Sequence, residues 1–459
     1  MIPERLEQLV AEARPLAERF TAAGRRLYLV GGVVRDAFVG RLDAHDDLDF
    51  TTDAPPDEVE AMVRGWADSV WTQGKRFGTI GCAKDGRRIE ITTHRAEAYT
   101  PESRKPEVAY ADDVETDLSR RDFTVNAMAL AVPEPRLIDP FDGAADLAAR
   151  RLRTPLAPEE SFGDDPLRML RAARFVSGYC LVPDPELVGA VEMMRARLSI
   201  VSAERIRDEL DKLLVVERPG EGLWFLVRTG LAEEFLPELP ALALEQDPVH
   251  RHKDVLAHTI AVVDKVGSDK IVRLAALFHD VGKPRTRAFG PDGVSFHYHD
   301  VVGARMTRER MQVLRYPTDE IDIVVRLVEL HLRFHTYRMG WTDRAVRRYV
   351  RDAGGLLGGL NELVRSDCTT RNPEKARQLA RRMDELEERI AQLREQEELD
   401  RIRPDLDGRQ VMERLGIPPG PLVGEALAFL LELRLDEGPL GEDEAGHRLH
   451  EWWTARRAS

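Results

Sequence analysis

The run Leu29-Val30-Gly31-Gly32-Val33-Val34-Arg35-Asp36, followed by Asp46-Asp47-Leu48-Asp49-Phe50-Thr51-Thr52, decides how the first third of this chain is read. Arg26 to Val30 is a short apolar run ended by a diglycine, which predicts a strand meeting a tight turn with a helix beyond it. Glycine lets a backbone approach a ligand closely, and the N–H groups exposed at a helix start suit phosphate. Arg35 adds a cation one turn into that helix, so Gly31, Gly32 and Arg35 are candidate triphosphate contacts. Residues 46–52 read as a strand, so Asp47 and Asp49, two apart, project on one face. Two carboxylates held side by side repel unless they are solvated or bridged by cations. Mg²⁺ prefers a few carboxylates together with phosphate oxygens. A pair of such ions can activate a 3′-hydroxyl and steady a leaving pyrophosphate. Glu90, in the strand-like stretch Arg87-Arg88-Ile89-Glu90-Ile91-Thr92-Thr93, is the candidate third carboxylate from a neighbouring strand.

The rest of the composition narrows the class. The chain has 459 residues, 43% hydrophobic and 32% charged, with a net charge of −14. That length is about three domains of roughly 150 residues. The charge excludes a polybasic nucleic-acid coat or a binder of anionic membranes, yet leaves room for a local basic groove. Cys82, Cys180 and Cys368 stand far apart and form no disulfide framework, which points to a reducing cytoplasm. No apolar run approaches the ~20 residues of a membrane helix, so no membrane partner is expected. The stretch MIPERLEQLVAEARPLAERF has helical apolar spacing and reads as an amphipathic helix rather than a signal peptide.

Strands at 26–30, 46–52, 87–93, 123–132 and 136–138 mix with helices up to residue 143. Beyond residue 150 the pattern turns helical, at 166–180, 185–197, 203–216 and 219–230, and stays so to the end. The charged amphipathic segment 373–399 and, after the Pro/Gly cluster 416–421, a last helical segment at 423–435 complete it. The expected class is α+β: a mixed-sheet head at 1–150, a helical neck at 151–240, a helical body at 241–385 and a helical tail at 386–459.

Four segments together resemble one family. GGVVRDAFVG with DDLDFTT, then Arg120-Arg121-Asp122-Phe123-Thr124-Val125-Asn126-Ala127, then Asp139-Pro140-Phe141-Asp142-Gly143, then Gly163-Asp164-Asp165-Pro166-Leu167-Arg168-Met169-Leu170-Arg171-Ala172-Ala173-Arg174 follow in order. They are similar to the motifs of polymerase-β-like nucleotidyltransferases, in particular class II tRNA CCA-adding enzymes and bacterial poly(A) polymerases. The resemblance spans about residues 27–215. It implies metal-bound Asp47 and Asp49, an RNA 3′-hydroxyl as acceptor, and CTP and ATP as donors. It gives Asp122 and Asn126 to the ribose side, and Arg121, Arg171 and Arg174 to the nucleotide and its phosphates. The family usually has Glu where Asp164 stands, which shortens the reach of that carboxylate.

The resemblance makes Asp165 and Arg168 the base-reading pair, and elementary chemistry agrees. Cytosine and adenine both present an amino donor beside a ring-nitrogen acceptor. Uracil and guanine present a carbonyl beside an N–H. A carboxylate with a guanidinium matches the first pattern, and each mismatched buried group costs about 1–3 kcal/mol. Pro166 fits the first position of a helix, which makes Asp165 its cap. Residues 97–106, with Arg104 and Pro106, resemble the loop tied to the family's switch from C to A; this favours full CCA addition over CC-only activity and argues less strongly against A-only or poly(A) activity.

Eight of the twelve histidines fall between His250 and His335. His279-Asp280-Val281-Gly282-Lys283 after an apolar helical run resembles the signature of HD-superfamily metal phosphohydrolases. That resemblance implies His258, His279, Asp280 and Asp367 as ligands of a divalent metal, with His299 and His331 for a second ion or a phosphate. It implies phosphatase or phosphodiesterase activity; the alternatives are an HD fold kept as an RNA-binding body, and a chain that is primarily an HD phosphohydrolase with the head serving as a nucleotide- or RNA-binding module. Arg344, Arg347, Arg348 and Arg351 form a basic stripe that either contacts tRNA phosphates or is a solvated face.

Overall fold

A computed structural model of the protein describes residues 4–41, 47–95, 110–244, 254–290, 293–336, 341–368, 373–397, 399 and 402–458. The loop 97–106, with Arg104 and Pro106, and the histidines at 250 and 252 lie outside the described residues. The chain divides into two compact units, Met1–Pro237 and Glu238–Ser459.

The first unit is built on a seven-stranded sheet. Its strands are β1 (Leu27–Val30), β2 (Leu48–Thr52), β3 (Ser69–Trp71), β4 (Thr79–Lys84), β5 (Arg87–Thr93), β6 (Ala129–Val132) and β7 (Arg136–Ile138), in the order β3-β4-β5-β2-β1-β6-β7. The β2–β5 pair is parallel; the others are antiparallel. Alternation decides the faces. Leu48 and Phe50 of β2, and Ile89 and Ile91 of β5, are buried, while Asp49 and Glu90 between them turn to the other side. The helix Glu4–Ala22 covers the apolar face. Its stripe of Leu6, Leu9, Ala13, Leu16 and Phe20 is buried in one core with Phe50, Ile80 and Ile91. The carboxylate face is thereby left open.

Two strands were not legible from the residues. β3 is only three residues long, and Gly81 breaks the pattern of β4. Both nonetheless extend the carboxylate face, as described below.

The helical end of this unit includes Pro158–Asp164, Leu167–Gly178, Pro185–Met194, Ala203–Leu214 and Gly220–Arg228. Gly222 lets two of these helices touch: a Cβ there would sit 2.4 Å from the carbonyl oxygen of Ala173. A short parallel pair, Arg151–Leu152 with Val182–Pro183, interrupts the expected all-helical stretch.

The second unit is mostly helical. Val255–Lys265, Lys270–Phe278, His299–Val313, Thr318–Leu330 and Leu357–Asp367 surround the histidine cluster. A hairpin, Arg287–Gly290 with Gly293–Phe296, departs from the all-helical expectation. The charged segment forms the helix Pro373–Gln396. Contrary to expectation, the helix Pro421–Glu437 is not the last: Glu442–Ala458 follows it, and the two pack through Leu430, Ala445 and Leu449.

Candidate active sites

The parallel register of β2 and β5 sets Asp49 directly opposite Glu90. Asp47 precedes β2 at the same alternation and is exposed. Arg88 joins the two carboxylate positions, 2.7 Å from Glu90 and 3.9 Å from Asp47. The same register continues outward. Glu90 pairs with Gly81 of β4, and Gly81 with Trp71 of β3, so Asp49, Glu90, Gly81 and Trp71 form one row on one face.

On the other side of Asp49 stands the diglycine turn. Gly31 has φ 74°, a conformation that favours glycine. A Cβ there would lie 3.2 Å from Arg121 Nη1 and 3.8 Å from Asp49 Oδ2. The turn thus brings bare backbone close to the carboxylate and the arginine. Partial burial pushes the Asp49 carboxyl up to about 6; Arg121 opposes the shift, and Glu90 and Asp47 add to it. A carboxylate unsettled in this way is relieved by a cation, which is the chemistry of a metal ligand.

A cleft of about 410 Å³ is bounded by Asp49, Glu90, Arg121, Asp165 and Arg168. Five of the expected residues therefore share one cavity. Asp165 is extended, and its carboxylate accepts from the Leu167 N–H at 3.1 Å and from Arg205 at 2.8 Å. The helix begins at Leu167, with Pro166 already in helical dihedrals. Arg168 is aimed by donating to Ser161 Oγ at 2.9 Å and to the Arg120 carbonyl at 2.6 Å. Asp164 lies 3.2 Å from Arg120, so it holds a neighbour of the cleft.

Arg35, Asn126, Asp122, Arg171 and Arg174 are placed differently. Arg35 is buried, not extended into the cleft. It donates to Asn126 Oδ1 and to the Tyr179 hydroxyl, each at 2.5 Å, and lies 4.2 Å from the Tyr179 ring centroid. Asn126 donates to Asp122 at 2.9 Å, and Arg171 donates twice to the other oxygen of Asp122. Glu209 then accepts from Arg171 at 3.4 Å and from Arg174 at 2.9 Å. This buried chain ties the diglycine helix to the helix that carries Arg168. Burial alone would raise the Asp122 carboxyl, but the Arg171 guanidinium and the Asn126 amide hold it well below the usual range. Burial likewise opposes, and Arg174 and Arg171 outweigh it for, the lowered Glu209 carboxyl.

Sequence reasoning missed Glu209, Tyr179, Asp117 and Arg95. Glu209 had a signal: it sits on the apolar stripe of its helix with Ile206, Leu210 and Leu213, where a charge needs a partner. Asp117 accepts from Arg121 at 3.2 Å, and with Arg95 it lines the cleft.

In the second unit the expected ligands converge. His258 Nε2 lies 2.9 Å from Asp367 Oδ1, 3.3 Å from His279 Nε2 and 3.5 Å from Asp280 Oδ2. His299 Nε2 lies 3.5 Å from the other Asp280 oxygen. The Nδ1 atoms of His279, His299 and His331 face the carbonyls three residues back, at 2.7, 2.7 and 2.6 Å. An Nδ1–H donated to a carbonyl leaves Nε2 as the lone-pair donor. The Nε2 atoms of His299 and His331 are buried and have no hydrogen-bond partner among the described residues. Two groups can each hold a metal ion: His258, His279 and Asp280, and Asp280, His299 and His331. Asp280 is common to both. Burial opposes but Asp280 and Asp367 prevail in pushing His279 up to about 10, while burial and the nearby His279 push His331 down to about 4. Asp280 and Asp367, despite burial, are held well below the usual carboxylate range by these histidines, with Lys283 adding to the effect on Asp280.

The arginine stripe does not form an open phosphate-binding face. Arg347 is buried against Glu397 at 2.9 Å. Arg348 pairs with Glu432 and Asp436, and Arg344 with Asp436. These arginines fasten one helix to acidic neighbours; Arg351 remains exposed. No helix among the described residues is long and apolar enough to cross a membrane.

Known proteins are similar to this chain in both units. Residues 27–153 match the family described as "Poly A polymerase head domain", residues 181–242 "Probable RNA and SrmB- binding site of polymerase A", and residues 253–393 "HD domain". The chain is 37% identical to the A-adding tRNA nucleotidyltransferase of Deinococcus radiodurans, over 70% of this chain and 75% of that protein. It is 32% identical to the CC-adding tRNA nucleotidyltransferase of Thermus thermophilus, over 93% and 94%. The Bacillus stearothermophilus CCA-adding enzyme, solved in complex with CTP, shares the fold with a TM-score of 0.71 at 24% identity, covering 98% of each chain. With curated relatives aligned over 70% and 93% of its length and a carboxylate-and-arginine cleft in its head, the chain belongs to the tRNA nucleotidyltransferase family.

Proposed function

We propose that this protein builds or repairs the 3′-terminal CCA of tRNA from CTP and ATP without a nucleic-acid template, acting in the cytoplasm. The observation that carries this reading is the meeting of Asp165 and Arg168 with Asp49 and Glu90 in one cleft. The RNA 3′-hydroxyl attacks the α-phosphorus of the nucleotide, a new phosphodiester forms, and pyrophosphate leaves with the electron pair of the broken bond. Asp47, Asp49 and Glu90 would hold Mg²⁺, which when bound polarises the α-phosphate and favours the alkoxide of the attacking hydroxyl. Asp165 accepts from the amino group of cytosine or adenine, and an Arg168 N–H donates to the ring nitrogen beside it. Arg121 and the bare turn at Gly31 and Gly32 face the phosphates. Arg35, Asn126, Asp122, Arg171 and Arg174 act at one remove, by holding the base-reading helix against the diglycine helix.

The test is a denaturing gel of a tRNA transcript lacking CCA, incubated with CTP and ATP singly and together. Three added residues followed by a stop are expected; a long A ladder refutes the reading. The Deinococcus and Thermus relatives bear names for part of the triplet, which favours a second reading in which this chain also adds only part. The same gel separates it, as two added C on that transcript, or one added A on a transcript that already ends in CC. In the second unit, the histidine–aspartate cluster would hold divalent metal for hydrolysis of a phosphate ester, with Asp280 shared between two ions.

A further inference from the structure

The row Asp49, Glu90, Gly81, Trp71 has a tryptophan at its outer end. Gly81 has no side chain, and the indole occupies that space: a Cβ at Gly81 would lie 1.8 Å from Trp71 Nε1. Adjacent strands are about 4.8 Å apart. An indole lying over Gly81 is therefore about one strand spacing from Glu90. Arg88 lies between them, ion-paired to Glu90 at 2.7 Å and 5.4 Å from the Trp71 ring centroid. Trp71 itself is only half-buried, and Arg88 is 53% exposed.

Two substrates must reach the carboxylates. On the β1 side, Arg121 and the diglycine turn occupy the flank of Asp49. The β5–β4–β3 side is left for the strand that receives the nucleotide. An indole face stacks any base, at a spacing that sets the attached ribose beside Glu90, and an arginine takes the linking phosphate.

We propose that Trp71 is the stacking platform for the terminal base of the acceptor RNA, and that Arg88 binds the phosphate of that same nucleotide. Trp71 is thus a substrate-positioning residue that requires an aromatic face and no particular base. The proposal rests on the reading of the head as a nucleotidyltransferase.

The experiment uses the full chain and a tRNA transcript carrying 2-aminopurine at its 3′ end, without CTP or ATP. Binding to the unaltered protein is expected to quench the fluorescence. Trp71→Phe is expected to keep the quenching and Trp71→Ala to lose it. Gly81→Ala, which displaces the indole without removing it, is expected to lose it too. In steady-state addition, Trp71→Ala is expected to raise KM for tRNA about tenfold with kcat little changed. Full quenching in Trp71→Ala or Gly81→Ala overturns the proposal. The fluorescence requires no catalysis, so a protein that quenches but adds no nucleotide refutes the transferase reading and leaves the platform standing. Nucleotide addition by Trp71→Ala with an unchanged KM for tRNA refutes the platform alone.

Discussion

Arg171 grips Asp122 at two points, through Nε at 2.9 Å and Nη2 at 2.6 Å, both to the same carboxylate oxygen. This pair is buried on the Asp122 side and part-exposed on the Arg171 side. Asp122→Asn leaves the guanidinium facing a neutral amide. The expected loss is about 2–4 kcal/mol at pH 7, below the full value for a wholly buried pair, measured by denaturant unfolding. Because the folded state depresses this carboxyl, its contribution is present above the ordinary Asp value of about 3.9 and fades as pH falls below it. The gap between protein and variant should therefore close in acid.

Asp49 has the opposite sign. Its carboxyl is raised to about 6, so the metal-free fold favours the protonated form below that pH. Mg²⁺ requires the charged form. Mg²⁺ affinity is expected to hold above pH 6 and to fall about tenfold per unit below it, as read by isothermal titration. Asp49→Asn should abolish nucleotide addition. In EDTA it should raise the Tm at pH 8, and the gain should shrink as the pH falls through 6.

Base choice depends on Asp165 accepting from an amino group. Asp165→Asn can turn an N–H toward the base and so donate to a carbonyl oxygen. Discrimination of CTP over UTP is expected to fall about 10- to 100-fold, the equivalent of one or two mismatched polar groups. Single-nucleotide incorporation assays with each of the four triphosphates measure this. Unchanged discrimination would remove Asp165 from the base-reading role.

The histidine cluster makes a stoichiometric prediction. Asp280 belongs to both candidate metal groups and His331 to one. Mn²⁺ bound per chain, counted by equilibrium dialysis, should fall by two in Asp280→Ala and by one in His331→Ala. Equal losses in the two variants would refute a shared aspartate.

Much of this was legible because the chemistry sits on regular elements. Alternation in residues 46–52 placed Asp47 and Asp49 on one face and left Glu90 as a candidate from a neighbouring strand; the structure adds that Asp49 and Glu90 are register partners. Parallel pairing is a long-range fact that no local pattern carries. Trp71 and Gly81 were not legible for a related reason: a three-residue strand and a glycine-broken one give too little period to read. Arg35 shows a different limit. A cation after a diglycine suggests phosphate, but whether its N–H groups are already taken depends on Asn126 and Tyr179, far along the chain. The arginines at 344, 347 and 348 fail the same way, since their acidic partners lie in later helices.

The missing side chain at position 81 has a consequence for how this protein can diverge. The indole of Trp71 fills the volume a β-carbon would need there. The two positions can drift only as a pair: a descendant that acquires a larger residue at 81 must give up the bulky ring at 71 or redirect it, and one that keeps the ring where it now lies is confined to glycine.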